Sequence, residues 1–522
     1  MTLYQWFVFF LLVQVVHFLA TWKLYVKAGR KSWEAAVPVY NAVILMKIIN
    51  RPWWWVLLLF IPVINVIMIP VIWVETIRSF GRNTTADTFL VLFTLGFYIF
   101  YVNYGLDVTY IEDRSLKPRT VAGEWANSII FAVIAATFVH TYIMQPFVIP
   151  TPSLEKTLLV GDFLFVSKFH YGARLPMTAV AAPMVHDTIP VVGVKSYLKE
   201  PQYPYFRLPG LQKIERNEIV VFNWPVDTVR YFGDRSNIHV DKPLDKKSNY
   251  VKRCVGIPGD ELEIKDGFIY INGERTKLGE RAKPQYSYSV YTRYNLSPEI
   301  MYSRFGVTNG FGGSRKLADG SFQYQFASLT DEMVSELQKN SAIDSIVKMI
   351  IPKGIADPSV FPHSSNMKWN RDNFGPISIP EKGEKVELSL ENLPLYERII
   401  SDYEGHDLQV KGSQILVDGK PTNSYTFGQD YYWMMGDNRH NSEDSRFWGY
   451  VPFDHVLGKP VFVWFSWDSF AKKPRWDRIF TTVDGGGNSK PTSYFMYFVI
   501  LLVGYFVFDF FRKKNKKKKL NY

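Results

Sequence analysis

Cysteine is almost absent: Cys254 is the one thiol in 522 residues, so no intrachain disulfide can form and a domain outside the cytoplasm must be held by its core alone. Basic residues are missing before Lys23, which removes the charged n-region of a cleavable leader from the first apolar run. The nine histidines are scattered, and no His-Glu-x-x-His, Gly-x-Ser-x-Gly or P-loop pattern occurs. Metal and nucleotide chemistry therefore have no support, and no cofactor is expected. The formal charge of +11 does not point to nucleic acid, because much of the excess sits in the lysine-rich stretch 512–519 behind an apolar run. That placement reads as membrane topology and attraction to anionic lipid.

Long apolar runs do occur, at the two ends. Residues 4–20 carry no charge and can span a bilayer, and the basic residues that follow, from Lys23 to Lys31, place the N-terminus outside. The run 35–49, interrupted by Pro38 and Asn41, reads as interfacial. The run 53–74 is long enough to cross, although Pro62, Asn65 and Pro70 predict a broken or re-entrant helix. Residues 88–104 form a third candidate, and 126–144 a crossing from inside to outside after the basic loop with Arg114, Lys117 and Arg119. The run 493–511 returns the chain inside. The expected organisation is a multi-pass region 1–125, a transmembrane helix 126–146, a polar region 147–490, a transmembrane helix 493–511 and a basic tail 512–522, with five crossings in all.

Between 147 and 489 no membrane-length apolar run appears. Short strand-like stretches recur instead, at 163–169, 218–222, 250–255, 268–271, 408–417, 431–435 and 461–465, separated by Gly, Pro, Asn and Asp. This predicts a mostly β region flanked by α-helical membrane segments. Two pieces, 260–273 and 407–419, each read as a hairpin ending in a tight turn. The stretch 276–404 has Tyr-, Ser- and Asn-rich loops, a short helix near 329–339 and a strand over 348–352.

Three blocks carry the chemistry. The first, Phe147-Val148-Ile149-Pro150-Thr151-Pro152-Ser153-Leu154, sets a serine a few residues beyond the apolar run. The second, Tyr250-Val251-Lys252-Arg253-Cys254-Val255-Gly256-Ile257-Pro258-Gly259-Asp260, sets a lysine in an apolar strand. A serine needs an adjacent base, and a lysine can serve only if burial or a nearby cation brings its pKa down from about 10.4 to about 7 or 8. Arg253 falls on the opposite face of such a strand, so burial is the expected cause. The third block is Gly436-Asp437-Asn438-Arg439-His440-Asn441-Ser442-Glu443-Asp444-Ser445-Arg446.

Taken in order, the three blocks resemble the type I bacterial signal peptidases, membrane-bound serine proteases with a lysine general base. The resemblance implies Ser153 as nucleophile and Lys252 as base, with Thr151 and Ser153 providing the oxyanion donors. It implies Ser442, Asp444, Arg446 and Arg253 as supporting residues around the site, and Phe147, Ile149, Tyr250 and Val251 as the lining for substrate side chains. The strand with Glu218 is core, and the stretch 276–404, which can be much shorter in the family, is by the same resemblance an insertion or accessory subdomain. The implied activity is removal of signal peptides from exported preproteins, after small residues, at the outer face of the bacterial cytoplasmic membrane. Signal peptides, the lipid bilayer and the secretion machinery are the expected partners. Leu154 and Lys156 depart from the family's usual Met and Pro, and His440 stands where Asp is common; it is expected to be an exposed loop histidine. Lys156 also creates Ser153-x-x-Lys156, the pattern of penicillin-recognising enzymes, which requires a helix to bring the lysine over the serine. A non-enzymatic membrane scaffold of the same fold is the other alternative.

Overall fold

The computed structural model describes residues 1–118, 120–230, 234, 236, 238–308, 311–483 and 492–520, with backbone alone at 311–313 and 514–520. Arg119, the end of the polar region at 484–490 and the last two residues of the basic tail lie outside the described residues. Two compact units are present. One comprises Met1–Met144, Ala173–Leu208 and Thr228–Lys247; the other comprises Gln145–Gly172, Pro209–Asp227 and Ser248–Tyr522.

In the first unit the uncharged N-terminal run forms the helix Leu3–Lys27, opened by a capping box in which Thr2 and Gln5 satisfy each other's backbone N–H. Among the described residues, Leu3–Lys27, Val121–Ile143 and Phe495–Lys513 are long and apolar enough to cross a membrane, the last of them in the second unit. The stretch 53–74 is broken at Pro62, whereas Pro70 lies inside a continuous helix. The stretch divides into Trp55–Leu58 and Ile64–Ser79, with Val63 at φ 69° between them. Residues 88–104 likewise divide, into Thr85–Phe93 and Tyr98–Tyr104, bent by 118°. Neither stretch is one straight span, so the expected five crossings reduce to three helices of spanning length and one bent pair. The segment 35–49 supplies the helix Tyr40–Ile48, whose Ile44, Leu45, Met46 and Ile48 enter the unit's apolar core. Beside that core Glu75 is clasped by Arg51 at 2.8 Å and Arg114 at 2.7 Å, a buried charge with its partners supplied.

The second unit is mostly β. Its main sheet runs in the order Met144–Val148, Asp162–Ser167, Val456–Asp468, Ile219–Asn223, Asn249–Gly256, Tyr431–Met435 and Val451–Pro452, with two short strands added on Val456–Asp468. Strand neighbours distant in sequence meet here, and the register places Val220 opposite Lys252 and Ile219 opposite Arg253. The two similar pieces become similar meanders. Asn272-Gly273 and Asp418-Gly419 both have positive φ, the conformation that suits a tight hairpin turn.

The insertion divides in two. Its first half is a four-stranded sheet, ordered Ile343–Lys348, Tyr286–Thr292, Phe322–Leu329 and Phe311–Lys316, with its own core of Tyr288, Val290, Met301, Phe326 and Leu337. The expected helix is Asp331–Gln338, capped by Thr330. The expected strand over 348–352 lies earlier, at Ile343–Lys348. Pro352 has no N–H to continue a ladder, and the alternation that packs inward is that of Ile343 and Ile346. The second half is not accessory. Its strand Phe374–Ser378 pairs with Glu261–Lys265, and Phe374, Ile377 and Ile399 join Leu262, Ile264 and Trp433 in the largest core.

Candidate active site

Ser153 sits in a single 3-10 turn, Pro152–Leu154. Pro152 opens it because a missing N–H costs nothing at a helix start, and Thr151 precedes it in extended conformation with a hydroxyl that makes no capping bond. The serine is 6 % exposed. Its own N–H lies in the first turn, where no intrahelical acceptor exists. The turn packs against the strand Asn249–Gly256, which carries Lys252.

Lys252 is 2 % exposed. Burial brings its pKa down to about 8, against the opposing pull of Asp444 and Glu443. Arg253 is not among the groups that set this value, as expected from its place on the other face of the strand. The amine lies 5.6 Å from the centre of the Tyr250 ring. Among the described residues no hydrogen bond within 3.5 Å joins Lys252 Nζ to Ser153 Oγ. Ser442 Oγ is likewise buried without a partner. Gly436 makes room for it: a Cβ there would lie 2.2 Å from Ser442 Oγ and 2.6 Å from Ser153 O, so only glycine fits between these two residues.

The supporting charges are fully buried rather than superficial. Arg446 Nε and Nη2 donate to the two oxygens of Asp444 at 2.8 and 2.9 Å, and Gly436 N donates to the same carboxylate at 3.0 Å. Burial alone would raise the Asp444 pKa, but Arg446 outweighs it and holds the carboxyl below its usual range. Arg253 makes the same two-pronged contact with Asp437, at 2.7 and 2.6 Å, and Thr157 Oγ1 donates to Asp437 at 2.6 Å. Asp437 and Thr157 were not singled out from sequence. The aspartate was visible in the Gly-Asp-Asn-Arg block, but its guanidinium partner lies 184 residues away.

Of the four residues named for substrate contact, three share a face. Phe147 packs against Val166, Val221 and Val251; Ile149 packs with Leu154, Leu158, Ile219 and Val251. Tyr250 points to the other side of its strand, stacked on Trp224 at 5.1 Å and edge-on to Trp448 at 5.4 Å. A cleft of about 680 Å³ adjoins the apolar face, with Leu158, Ile219 and Val463 on its floor and Lys156, Arg281 and Arg478 in its wall.

Two sequence expectations are corrected. His440 is not an exposed loop residue: its side chain is 5 % exposed, its Nε2 lies 2.7 Å from Asp372 Oδ1, and Ser287 N donates to its Nδ1 at 3.0 Å. Because Nδ1 accepts, Nε2 carries the proton in the neutral ring and donates to Asp372. The pattern Ser153-x-x-Lys156 does not form a helix. The 3-10 turn ends at Leu154, Lys156 has φ 71°, and its amine donates to the Gly306 carbonyl. The geometry required of a penicillin-recognising enzyme is therefore missing.

Comparison with known proteins cuts the region 276–404 at other points, since the family match leaves 324–381 of it unmatched. Residues 122–323 and 382–467 match the family described as signal peptidase, peptidase S26. Residues 33–113 match a family of unknown function, DUF5684. A signal peptidase I from Buchnera aphidicola subsp. Acyrthosiphon pisum is 24 % identical over 339 residues, 65 % of this chain and 74 % of its own length. One from Haemophilus influenzae is 24 % identical over 386 residues, 71 % of this chain and 79 % of its own. Another, from Rickettsia massiliae, is 23 % identical over 365 residues, 68 % and 86 % respectively.

Proposed function

Because this chain belongs to the signal peptidase, peptidase S26 family and is a membrane-bound serine peptidase, we propose that it removes signal peptides with Ser153 as nucleophile and Lys252 as general base. The observation that carries this reading is a buried amine with a pKa near 8, bonded to no acceptor, on the strand against which the serine turn packs. Near neutral pH a useful fraction of that amine is unprotonated and able to accept a proton.

Lys252 takes the Ser153 hydroxyl proton as Oγ attacks the carbonyl before the cut. The tetrahedral oxyanion is met by the Ser153 N–H and the Thr151 hydroxyl, both without competing bonds in the site. The ammonium then protonates the leaving amine, and the mature chain departs. Water, deprotonated by the same amine, releases the signal peptide from Ser153. Ser442 bonds the amine during these transfers, while the Asp444–Arg446 and Arg253–Asp437 pairs hold the block and the strand in place.

Substrate binds extended, adding a strand to a sheet edge. The open edges that belong to the serine and lysine blocks are the outer edge of Met144–Val148, which ends the sheet, and 249–252, where Tyr431–Met435 no longer pairs. Phe147, Ile149 and Val251 line the apolar face there, which suits small side chains one and three residues before the cut.

The site is assigned to the outer side of the cytoplasmic membrane. In the first unit Trp6, near the start of the first helix, donates to Gln202 O at 2.9 Å and stacks on Tyr203 at 4.4 Å. Gln202 and Tyr203 lie in Ala173–Leu208, which belongs to the same unit as the first helix.

Incubation of the purified full-length enzyme with a preprotein carrying Ala before the cut tests the reading. Removal of the signal peptide is expected, with at least about a 100-fold loss when a bulky residue replaces that Ala, and none with Ser153→Ala. Equal cleavage of the two preproteins would overturn the specificity, and cleavage by Ser153→Ala the mechanism.

A further inference from the structure

The insertion is tied to the serine turn by more bonds than an appended subdomain needs. Gln285, 1 % exposed, donates through Nε2 to Glu155 O at 2.5 Å. Its backbone donates to Asp437 O at 2.8 Å and accepts from Arg439 N at 2.9 Å, locking it beside the Gly-Asp-Asn-Arg block. Ser328, on the strand Phe322–Leu329, donates its hydroxyl to Asn438 Oδ1 at 2.7 Å. Asn438, fully buried, in turn donates through Nδ2 to Pro152 O at 3.1 Å and through its backbone N–H to Ser153 O at 3.0 Å.

These bonds act as a unit. The Pro152 carbonyl, which can only accept, sets the orientation of the Asn438 amide, and the Ser328 hydroxyl donates to the amide oxygen so turned towards it. With Asn438 and Ser328 both buried, no solvent is at hand to take over a lost bond, and the full desolvation cost falls on the group left unpaired. The serine turn cannot set its own position, because it is one short 3-10 turn that closes a single ring of its own. Three carbonyls of residues 152–155 are instead held from outside, and the chain holding them is anchored in the insertion.

We propose that Gln285 and Ser328 are positioning residues for the reaction: they fix the depth of Ser153 against the Lys252 strand, and the insertion is thereby part of the catalytic apparatus. The inference rests on the assignment of Ser153 as nucleophile. It assigns neither residue a contact with substrate, whose proposed lining, Phe147, Ile149 and Val251, lies in other cores.

The test uses the full-length enzyme with a preprotein, comparing Ser328→Ala, Ser328→Thr and the near-isosteric Gln285→Glu, which removes the donor to Glu155 O. A displacement of the nucleophile on the order of 1 Å costs about 100-fold. Ser328→Ala and Gln285→Glu are therefore expected to lower kcat by about 10- to 100-fold while KM and the ascending limb of the pH profile stay as in the wild type. Ser328→Thr keeps the hydroxyl and is expected to recover most of kcat. Wild-type kcat in both donor-deleted variants overturns the proposal. So does a loss that appears in KM, that Ser328→Thr shares, or that vanishes once activity is corrected for the folded fraction seen in thermal melts. If Gln285→Glu fails to fold, Ser328→Ala and Ser328→Thr decide alone. Cleavage by a Ser153→Ala control would instead remove the reading on which the proposal stands.

Discussion

The strand around Lys252 and the loop around Lys156 place two lysines by the same serine turn, and the backbone gives them opposite uses. Lys252 lies in a strand that pairs over 249–253 with Ile219–Asn223, and its amine is buried with no hydrogen-bond acceptor among the described residues. Lys156 lies in a loop at φ 71°, and its amine reaches a carbonyl that would otherwise be unpaired. Burial lowers both pKa values. An amine with a bound acceptor is a brace, whereas one held in apolar surroundings without one is available to take a proton. Depressed basicity alone does not separate the two lysines; the bond of Lys156 to the Gly306 carbonyl does, and Lys252 is for that reason the proposed base.

The largest effect that separates the two comes from Lys252→Met. Loss of a proposed general base from a unit that acts together is expected to cut kcat by at least about 10⁴-fold. The same change has the opposite effect on stability. In the folded protein the Lys252 pKa is about 8, below the 10.5 of an ordinary lysine, so burial costs the full penalty below pH 8 and progressively less as pH rises towards 10.5. That penalty is on the order of 3 kcal/mol, and Met of similar length does not incur it. Thermal melts at pH 7 are expected to show the inactive variant at least as stable as the wild type, with any advantage fading as pH rises from 8 to 10.5. An inactive variant that melts well below the wild type would mean that Lys252 is needed for the fold rather than for the chemistry.

A smaller effect is a shift of the pH profile. The neutral amine is the working form, so kcat/KM is expected to rise with pH through an apparent pKa near 8. Glu443 stabilises the protonated amine, and Glu443→Gln therefore moves the ascending limb to lower pH without changing its plateau by more than about tenfold. A limb that stays put, or moves to higher pH, would show that another group controls the rise.

The comparison also explains what the sequence could and could not convey. Ser153, Lys252 and the Gly-Asp-Asn-Arg block could be picked out as candidates because each stands in a short local pattern. The mostly β fold was legible too, since the strands at 219–223, 249–256 and 431–435 are apolar and bounded by turn residues. What could not be read were pairings over distance. His440 is buried because Asp372 and Ser287 come to it from the insertion, and nothing within its own block announces either. The segments Ala173–Leu208 and Thr228–Lys247 group with the N-terminal region although they interrupt catalytic strands. Their sequences lack a regular period, and contacts such as Trp6 with Tyr203 span nearly two hundred residues. Lys156 misled for the opposite reason: a spacing that suits a helix was present, but the backbone leaves the helical region at that residue.

The smallest effect is therefore the sharpest check on the comparison. If the loop lysine is a brace, Lys156→Met removes one hydrogen bond to the Gly306 carbonyl and leaves the chemistry at Ser153 in place. The expected cost is about 1 kcal/mol of stability, read as a modest drop in melting temperature. Because Gly306 lies at the end of the insertion helix Pro298–Phe305, the loosening falls on that helix and not on the Asn438 and Gln285 contacts that hold the serine turn. Activity is expected to remain within about tenfold of the wild type, with the same rise near pH 8 because Lys252 is untouched. Should Lys156→Met abolish cleavage while Lys252→Met retains it, the two lysines would exchange roles, and the availability of a buried amine would no longer be what selects the base.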